Sequence, residues 1–269
     1  MATSSTSPRV TSNSLAHETV FPILFLIGRP AAGKSEVIKY LRELDSKERA
    51  AELHVGDFHE LDDFPMIWSW FEEDEILARH GRKRLHSDSE GYFLDNFEWN
   101  VLIERLDLEY RKWVKECAPE GDRGDDGALA LPRGKTAVIE FARGKEHGGL
   151  KDAFSYFSED LLRRGAVLYI NVSFSESLRK NRRRFNPDKP HSILEHALPD
   201  DKLERLYGES DWDELSAEKG SFLRLKGVQV PYSVMENEDD VTTKGGELLG
   251  GRLRESLDRL WSRHLQRKP

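Results

Sequence analysis

The sequence contains a single cysteine, Cys117, among 269 residues. One thiol excludes an intrachain disulfide framework and a cysteine-rich zinc site, and it fits a reducing compartment. No apolar run approaches the roughly twenty residues that a membrane helix requires; the longest lies near residues 20–27. The N-terminus lacks a basic stretch followed by a hydrophobic one, so no secretory leader is expected. Neither sign of charge dominates, with 49 acidic residues against 41 basic ones. A pI near 5.7 gives no global attraction for nucleic acid or anionic lipid. No internal repeat is visible. These absences lead us to expect a soluble, cytoplasmic protein with no membrane or nucleic-acid partner, long enough to bury one substantial core.

What is present is organised around Gly28-Arg29-Pro30-Ala31-Ala32-Gly33-Lys34-Ser35. The run Phe21-Pro22-Ile23-Leu24-Phe25-Leu26-Ile27 precedes it, and Val37, Ile38, Leu41 and Leu44 follow at helical spacing, so the segment reads strand, glycine loop, helix. Such a loop surrounds a phosphate chain with backbone N–H groups, while the helix N-terminus adds unpaired donors and the positive end of its dipole. Gly28 and Gly33 let the backbone turn and approach closely. Lys34 would reach the β and γ phosphates, and the Ser35 hydroxyl would hold Mg²⁺.

Four further apolar segments read as strands. Leu53-His54-Val55-Gly56 ends at Asp57, which is either an acceptor-facing carboxylate or a solvated or capping aspartate. Asp62 and Asp63 read as surface or helix-start charges. Thr136 to Gly144 reads as a buried strand toward whose end stand an acid, Glu140, and Arg143. Ala166 to Val172 leads into a helix bearing Arg179, Arg182, Arg183 and Arg184. Val228 to Val234 comes last, its Pro231 pointing to a sheet edge or strand end, with Asn237 in the turn beyond. A helix with Ala153, Phe154, Phe157, Leu161 and Leu162 precedes the fourth strand, and an amphipathic helix over residues 247–265 closes the chain. Strands alternating with helices argue for a parallel sheet covered on both faces.

On its glycine loop and flanks the sequence resembles the P-loop NTPases. By position and pattern it resembles their nucleoside/nucleotide-kinase-like branch, which includes adenylate, shikimate, gluconate and deoxynucleoside kinases. The resemblance implies a three-layer α/β/α fold with a five-stranded parallel sheet in the order 2-3-1-4-5. It also implies one domain over residues 19–269, with an acceptor-side helical insertion at about 58–134 and a lid at about 179–223; residues 1–18 before it, rich in Ser and Thr and nearly free of large apolar residues, read by composition as a disordered tail. Gly28, Arg29, Pro30, Ala31, Ala32, Gly33, Lys34 and Ser35 would cradle ATP, with Asn237 against adenine unless it serves only the turn. Glu140 stands where that branch places a carboxylate on Mg²⁺ or on the acceptor; the commoner residue there is Asp. Arg143 stands where several such kinases carry an arginine, although its spacing matches neither the adenylate-kinase nor the deoxynucleoside-kinase pattern. Asp57 would position or deprotonate the acceptor, and Arg179 and Arg183 would neutralise phosphoryl charge from the lid.

The expected activity is ATP-dependent phosphotransfer to an unidentified small-molecule acceptor, with Mg²⁺. A P-loop ATPase or a nucleotide-dependent switch acting on a macromolecular partner is the alternative. A GTPase is disfavoured, because no strand is followed by Asn-Lys-x-Asp, and Asp88-Ser89-Glu90-Gly91 lacks a preceding apolar strand.

Overall fold

β1 (Ile23–Gly28) is buried at all six positions, with Ile23, Phe25 and Ile27 facing one side and Leu24 and Leu26 the other. A strand apolar on both faces must lie inside a sheet covered on both faces, and the computed structural model places it there. The structure describes residues 19–117, 133–184, 197–217 and 220–267. The expected tail at 1–18 lies outside them, as do parts of the insertion and of the lid.

From β1 the chain passes through α1 (Lys34–Glu43) and α2 (Ser46–Leu53) to β2 (Asp57–Asp62). The long helices α3 (Phe64–Arg79) and α4 (Glu98–Cys117) follow, then β3 (Lys135–Phe141). Next come α5 (Gly149–Tyr156), α6 (Glu159–Arg164), β4 (Gly165–Asn171), α7 (Phe174–Arg184), α8 (Asp200–Tyr207) and α9 (Trp212–Leu215). The chain ends with β5 (Phe222–Leu225), β6 (Val228–Glu236), α10 (Val241–Lys244) and α11 (Gly246–Leu265). The sheet order is β2-β3-β1-β4-β6-β5. On one face Ile103, Leu106, Tyr110, Phe154 and Leu161 pack against the odd positions of β1. On the other, Val37, Leu41, Leu53, Leu253 and Leu257 pack against the even ones. Helices thus cover both faces of the sheet, and no helix among the described residues is long and apolar enough to cross a membrane.

Three expectations change. The sheet has six strands, because β5 adds an antiparallel hairpin partner to β6. Lys226 (φ 50°) and Gly227 (φ 79°) form its two-residue turn, both left-handed as such turns require. Pro231 sits where β6 changes partner: it is opposite Phe222 of β5, and pairing with β4 begins only at Tyr232. Its missing N–H therefore costs the parallel ladder nothing.

The second strand is Asp57–Asp62, later than the apolar segment implied. Leu53 ends α2 and His54 takes a left-handed conformation (φ 55°), so the apolar residues there belong to a helix end and a turn. β2 is an edge strand, and edges tolerate charge. The helix before β4 is two helices, with Phe157 extended between them and Ser158 capping the second.

One histidine is buried and a second is half-buried. His147 stacks on Trp99 with ring centroids 3.9 Å apart, and burial together with the nearby Arg143 charge lowers its pKa to about 3. His264 packs against Phe21 and Trp261, and burial with the Arg267 charge lowers its pKa to about 4. An unfolded histidine takes up a proton near pH 6.5 that these folded ones refuse. Their contribution to stability is therefore complete above pH 6.5 and is lost as the pH falls toward 4. Urea unfolding of the parent and of His264→Phe, which keeps the ring packing, at pH 7.5 and 5 isolates the His264 contribution: the parent should lose stability relative to the variant as the pH falls.

Candidate functional site

The loop between β1 and α1 requires unusual backbone. Ala31 (φ 56°) and Gly33 (φ 111°) are both left-handed. A side chain at Gly33 would also come within 2.7 Å of Thr242 Cγ2. Ordinary side chains are thereby excluded from Gly33 on two counts.

Four side chains fix the loop by its carbonyls or from its own residues. Asn237 Nδ2 donates to Ala32 O at 2.7 Å, and Ser177 Oγ donates to Pro30 O at 2.7 Å. Lys34 Nζ donates to Arg29 O at 3.3 Å and to Gly28 O at 3.4 Å. The Arg29 guanidinium donates outward to Tyr207 O and to Gly208 O, tying the loop to the end of α8. With the carbonyls occupied in this way, the loop is held in shape before any anion arrives.

Asn237 is fully buried, and the same amide also reaches Thr242 Oγ1 at 2.7 Å. Its side chain has no freedom to face a base, so the turn role is the one the geometry fits. Asp240 N donates to Asn237 O at 3.1 Å, closing that turn.

Two carboxylates meet the loop at the carboxyl ends of adjoining strands. Asp62 ends β2, Glu140 lies one residue before the end of β3, and the two are register partners. Lys34 Nζ lies 3.8 Å from Glu140 Oε1. Burial pushes the Glu140 carboxyl up to about 7, against the pull of Lys34. Burial and then the charge of Glu140 push Asp62 up to about 8. Both acids are costly to ionise where they stand, and a cation beside them would restore their charge. Gly33, Lys34, Ser35, Asp62, Glu140 and Arg184 line one cleft here. Among the described residues no three or more His, Cys, Asp and Glu side chains gather as a metal cage. The donor set of a hydroxyl and carboxylate oxygens nonetheless suits Mg²⁺, which takes few protein ligands and keeps water and phosphate for the rest.

The other expected residues are distributed differently. Asp57 begins β2, at the opposite end of that strand from the loop, and is exposed with Lys135 Nζ at 3.2 Å. Its expected place at a strand end belongs to Asp62. Arg143 lines the cleft but is buried in an ion pair with Asp63 at 2.6 Å, donates to Trp99 O at 3.0 Å, and lies over the Trp99 ring. It braces α3 and α4 against the end of β3 and has little left with which to clamp a substrate phosphate.

Arg179 is held by Glu176 at 2.7 Å and by Asp240 at 2.9 Å, and Arg183 by Asp240 at 3.1 Å and Thr243 Oγ1 at 2.6 Å. Both are turned toward the segment after β6. The arginine of α7 that lines the carboxylate cleft is Arg184.

Asp62 was hidden by its setting, because β2 carries no period-two signal: Phe58 shares one face with Glu60 and Asp62, and Leu61 shares the other with Asp57 and His59, so its two apolar residues fall on opposite faces.

Together, the covered parallel sheet, the loop from its central strand into α1, and the lysine, hydroxyl and carboxylates at its carboxyl end define a P-loop fold. No family model and no curated protein sequence matches the chain. Among solved structures it is similar to Chaetomium thermophilum Kti12 in complex with ADP-AlF3, at 13% identity over 90% of this chain and 98% of that one, with a TM-score of 0.46. It is also similar to shikimate kinase from Acinetobacter baumannii in complex with shikimate, at 15% identity over 74% and 78%, TM-score 0.31. TT1252 from Thermus thermophilus matches at 17% identity over 92% and 97%, TM-score 0.35. The likeness is one of fold.

Removing the Asn237 amide leaves Ala32 O without its donor in a site closed to water. Asn237→Ala should therefore lower the unfolding free energy by about 1–3 kcal/mol in urea titrations, and should weaken ADP binding measured by calorimetry.

Proposed function

We propose that the chain is an ATP-dependent phosphotransferase acting on a small hydroxyl-bearing acceptor. The observation that carries this reading is the placement of Asp62 beside Glu140, across a cleft from Lys34 and Ser35. A phosphate cradle and a metal carboxylate serve any nucleotide-cleaving site; a second, half-buried acid at the same strand ends, raised to about 8, supplies a base within reach of a hydroxyl in the cleft.

In this reading the loop amides and Lys34 bind the β and γ phosphates of ATP. Ser35 and Glu140 would hold Mg²⁺, which when bound draws charge off those phosphates. The second cleft, between Tyr40, Arg183, Thr243 and Gly245, adjoins the loop at Ala31 and Gly33 and would take the nucleoside end.

Asp62 orients the acceptor hydroxyl and accepts its proton. The hydroxyl oxygen forms a bond to the γ phosphorus while the bond from that phosphorus to the bridging oxygen breaks, its electron pair leaving with ADP. Arg184 faces the same cleft and would meet the charge on the transferring group, a role worth about 10³ to 10⁵ in rate where it has been isolated. Catalysis in this scheme is chiefly positioning and electrostatic stabilisation.

The test is ADP release from Mg-ATP across a panel of hydroxyl acceptors. Lys34→Ala should abolish acceptor-dependent release while circular dichroism shows the fold retained. Asp62→Asn should lower turnover by about 10² or more with ADP affinity nearly unchanged, whereas Asp57→Ala should leave turnover as it was. Release that no acceptor stimulates, or an Asp62→Asn protein as active as the parent, would overturn the assignment.

A further inference from the structure

α3 is an unusual helix for one so apolar. It carries Phe64, Met66, Ile67, Trp68, Trp70, Phe71, Ile76 and Leu77, yet only Ile67 and Asp74 are buried. Asp74 anchors the following segment to the helix, accepting from the backbone of Leu85 at 2.6 Å, His86 at 3.0 Å and Ser87 at 2.6 Å, and from Ser87 Oγ at 2.8 Å. That segment and α8 stand opposite α3 and leave a groove of about 770 Å³ between them. Its volume falls in the range of sites that enclose a small organic ligand, about 300–1,000 Å³.

The groove adjoins the phosphate cleft. Phe64, Ile67, Leu198 and Tyr207 line both. Its wall is a connected set of rings: Phe93 lies 5.3 Å from Phe71 and 4.7 Å from Trp99, each pair edge to face. Edge-to-face contacts fix ring orientation, so the wall is preformed.

The charges around the groove are mostly spent on one another. Arg84 pairs with Glu75. Arg205 is 3.3 Å from Glu146 and lies over the Tyr92 ring at 4.3 Å. Lys202 donates to the carbonyls of Glu90 and Gly91 and sits 4.5 Å from the same ring, and burial lowers its pKa. Arg79 stands exposed at the mouth. A carboxylate or phosphate entering the interior would lose its hydration and meet cations already paired, next to Glu72, Glu75, Glu90 and Glu146.

From this lining we infer that the groove binds the body of the acceptor, and that this body is a neutral, ring-bearing, predominantly apolar molecule presenting a hydroxyl toward Asp62. The inference rests on the phosphotransferase reading for the direction in which the ligand is oriented. The binding preference itself follows from the groove alone. In the transfer, the ligand's hydroxyl oxygen gains the γ phosphoryl group, ADP leaves with the bridging oxygen, and the hydroxyl proton passes to Asp62.

Binding and turnover separate the two claims. Calorimetry on the full chain with Mg-ADP bound would compare 2-naphthaleneethanol with 2-naphthylacetate, alike in ring and differing in charge. The alcohol should bind about tenfold or more tightly than the carboxylate, since only the latter must be desolvated as an ion. Phe71→Ala, which removes a wall, and Ile76→Glu, a surface substitution that places charge at the groove, should each weaken the alcohol about fivefold or more. ADP binding reports that both variants are folded. Equal or tighter binding of the carboxylate, no binding of the alcohol, or binding that both variants leave unchanged would overturn the inference. Preferred binding of the alcohol with no acceptor in the wider panel phosphorylated would retain the groove's preference and defeat the phosphotransferase reading. Turnover with an anionic acceptor and no affinity for the alcohol would do the reverse.

Discussion

The Lys34 ammonium is the point on which the site depends. It is a buried cation held between the Glu140 carboxylate and the carbonyls of Gly28 and Arg29. An isolated charge at that depth would be strongly unfavourable, so each partner is required by the others. Lys34 can stay there because β3 ends with an acid in register beside β1, and Glu140 can stay there because Lys34 offsets part of its burial. The parallel sheet brings them together by adjacency alone: β1 and β3 are neighbours, and β2 adds Asp62 from the far side of β3.

Around this centre the loop is fixed from several directions. Asn237 comes from the turn after β6, Ser177 from α7, and Arg29 extends to the end of α8. The elements that carry the arginines and the groove are therefore attached to the phosphate cradle, α7 by a hydrogen bond to the loop's backbone and α8 by one from the loop's Arg29 side chain. A movement of α7 or α8 would be felt as a change in loop geometry, which links the groove to the loop without a separate relay.

How much of this could be read beforehand depended on how local each signal was. The loop was legible because strand, glycines, lysine, serine and helix lie within one short stretch and each has its own physical reason. Glu140 was legible as an acid ending an apolar strand. The strand order followed from resemblance, and β5 escaped notice because four residues carry little periodicity. Asp57 took the place of Asp62 because His54 and Val55 look like a strand until the left-handed turn at His54 ends the helix before them. The roles of Arg179 and Arg183 depended on Asp240, which lies far along the chain and draws both away from the carboxylate cleft. Pairings between distant side chains leave no mark in sequence order, and the neutral lining of the groove is made of such pairings.

The β5–β6 hairpin differs from every other strand pairing in the sheet in the chain length it must close. Leu225 meets Val228 across two residues, whereas Ile23 must find Ala137 and Val167 must find Tyr232. Hairpins of this kind form in about 1–10 μs, and long closures wait on the entropy of the intervening chain. The edge of the sheet farthest from β2 is thus the part able to assemble first, already twisted by its left-handed turn. β6 can then offer β4 a preformed strand from Tyr232 onward, so the order in which the sheet is assembled need not follow the order in which the chain is written.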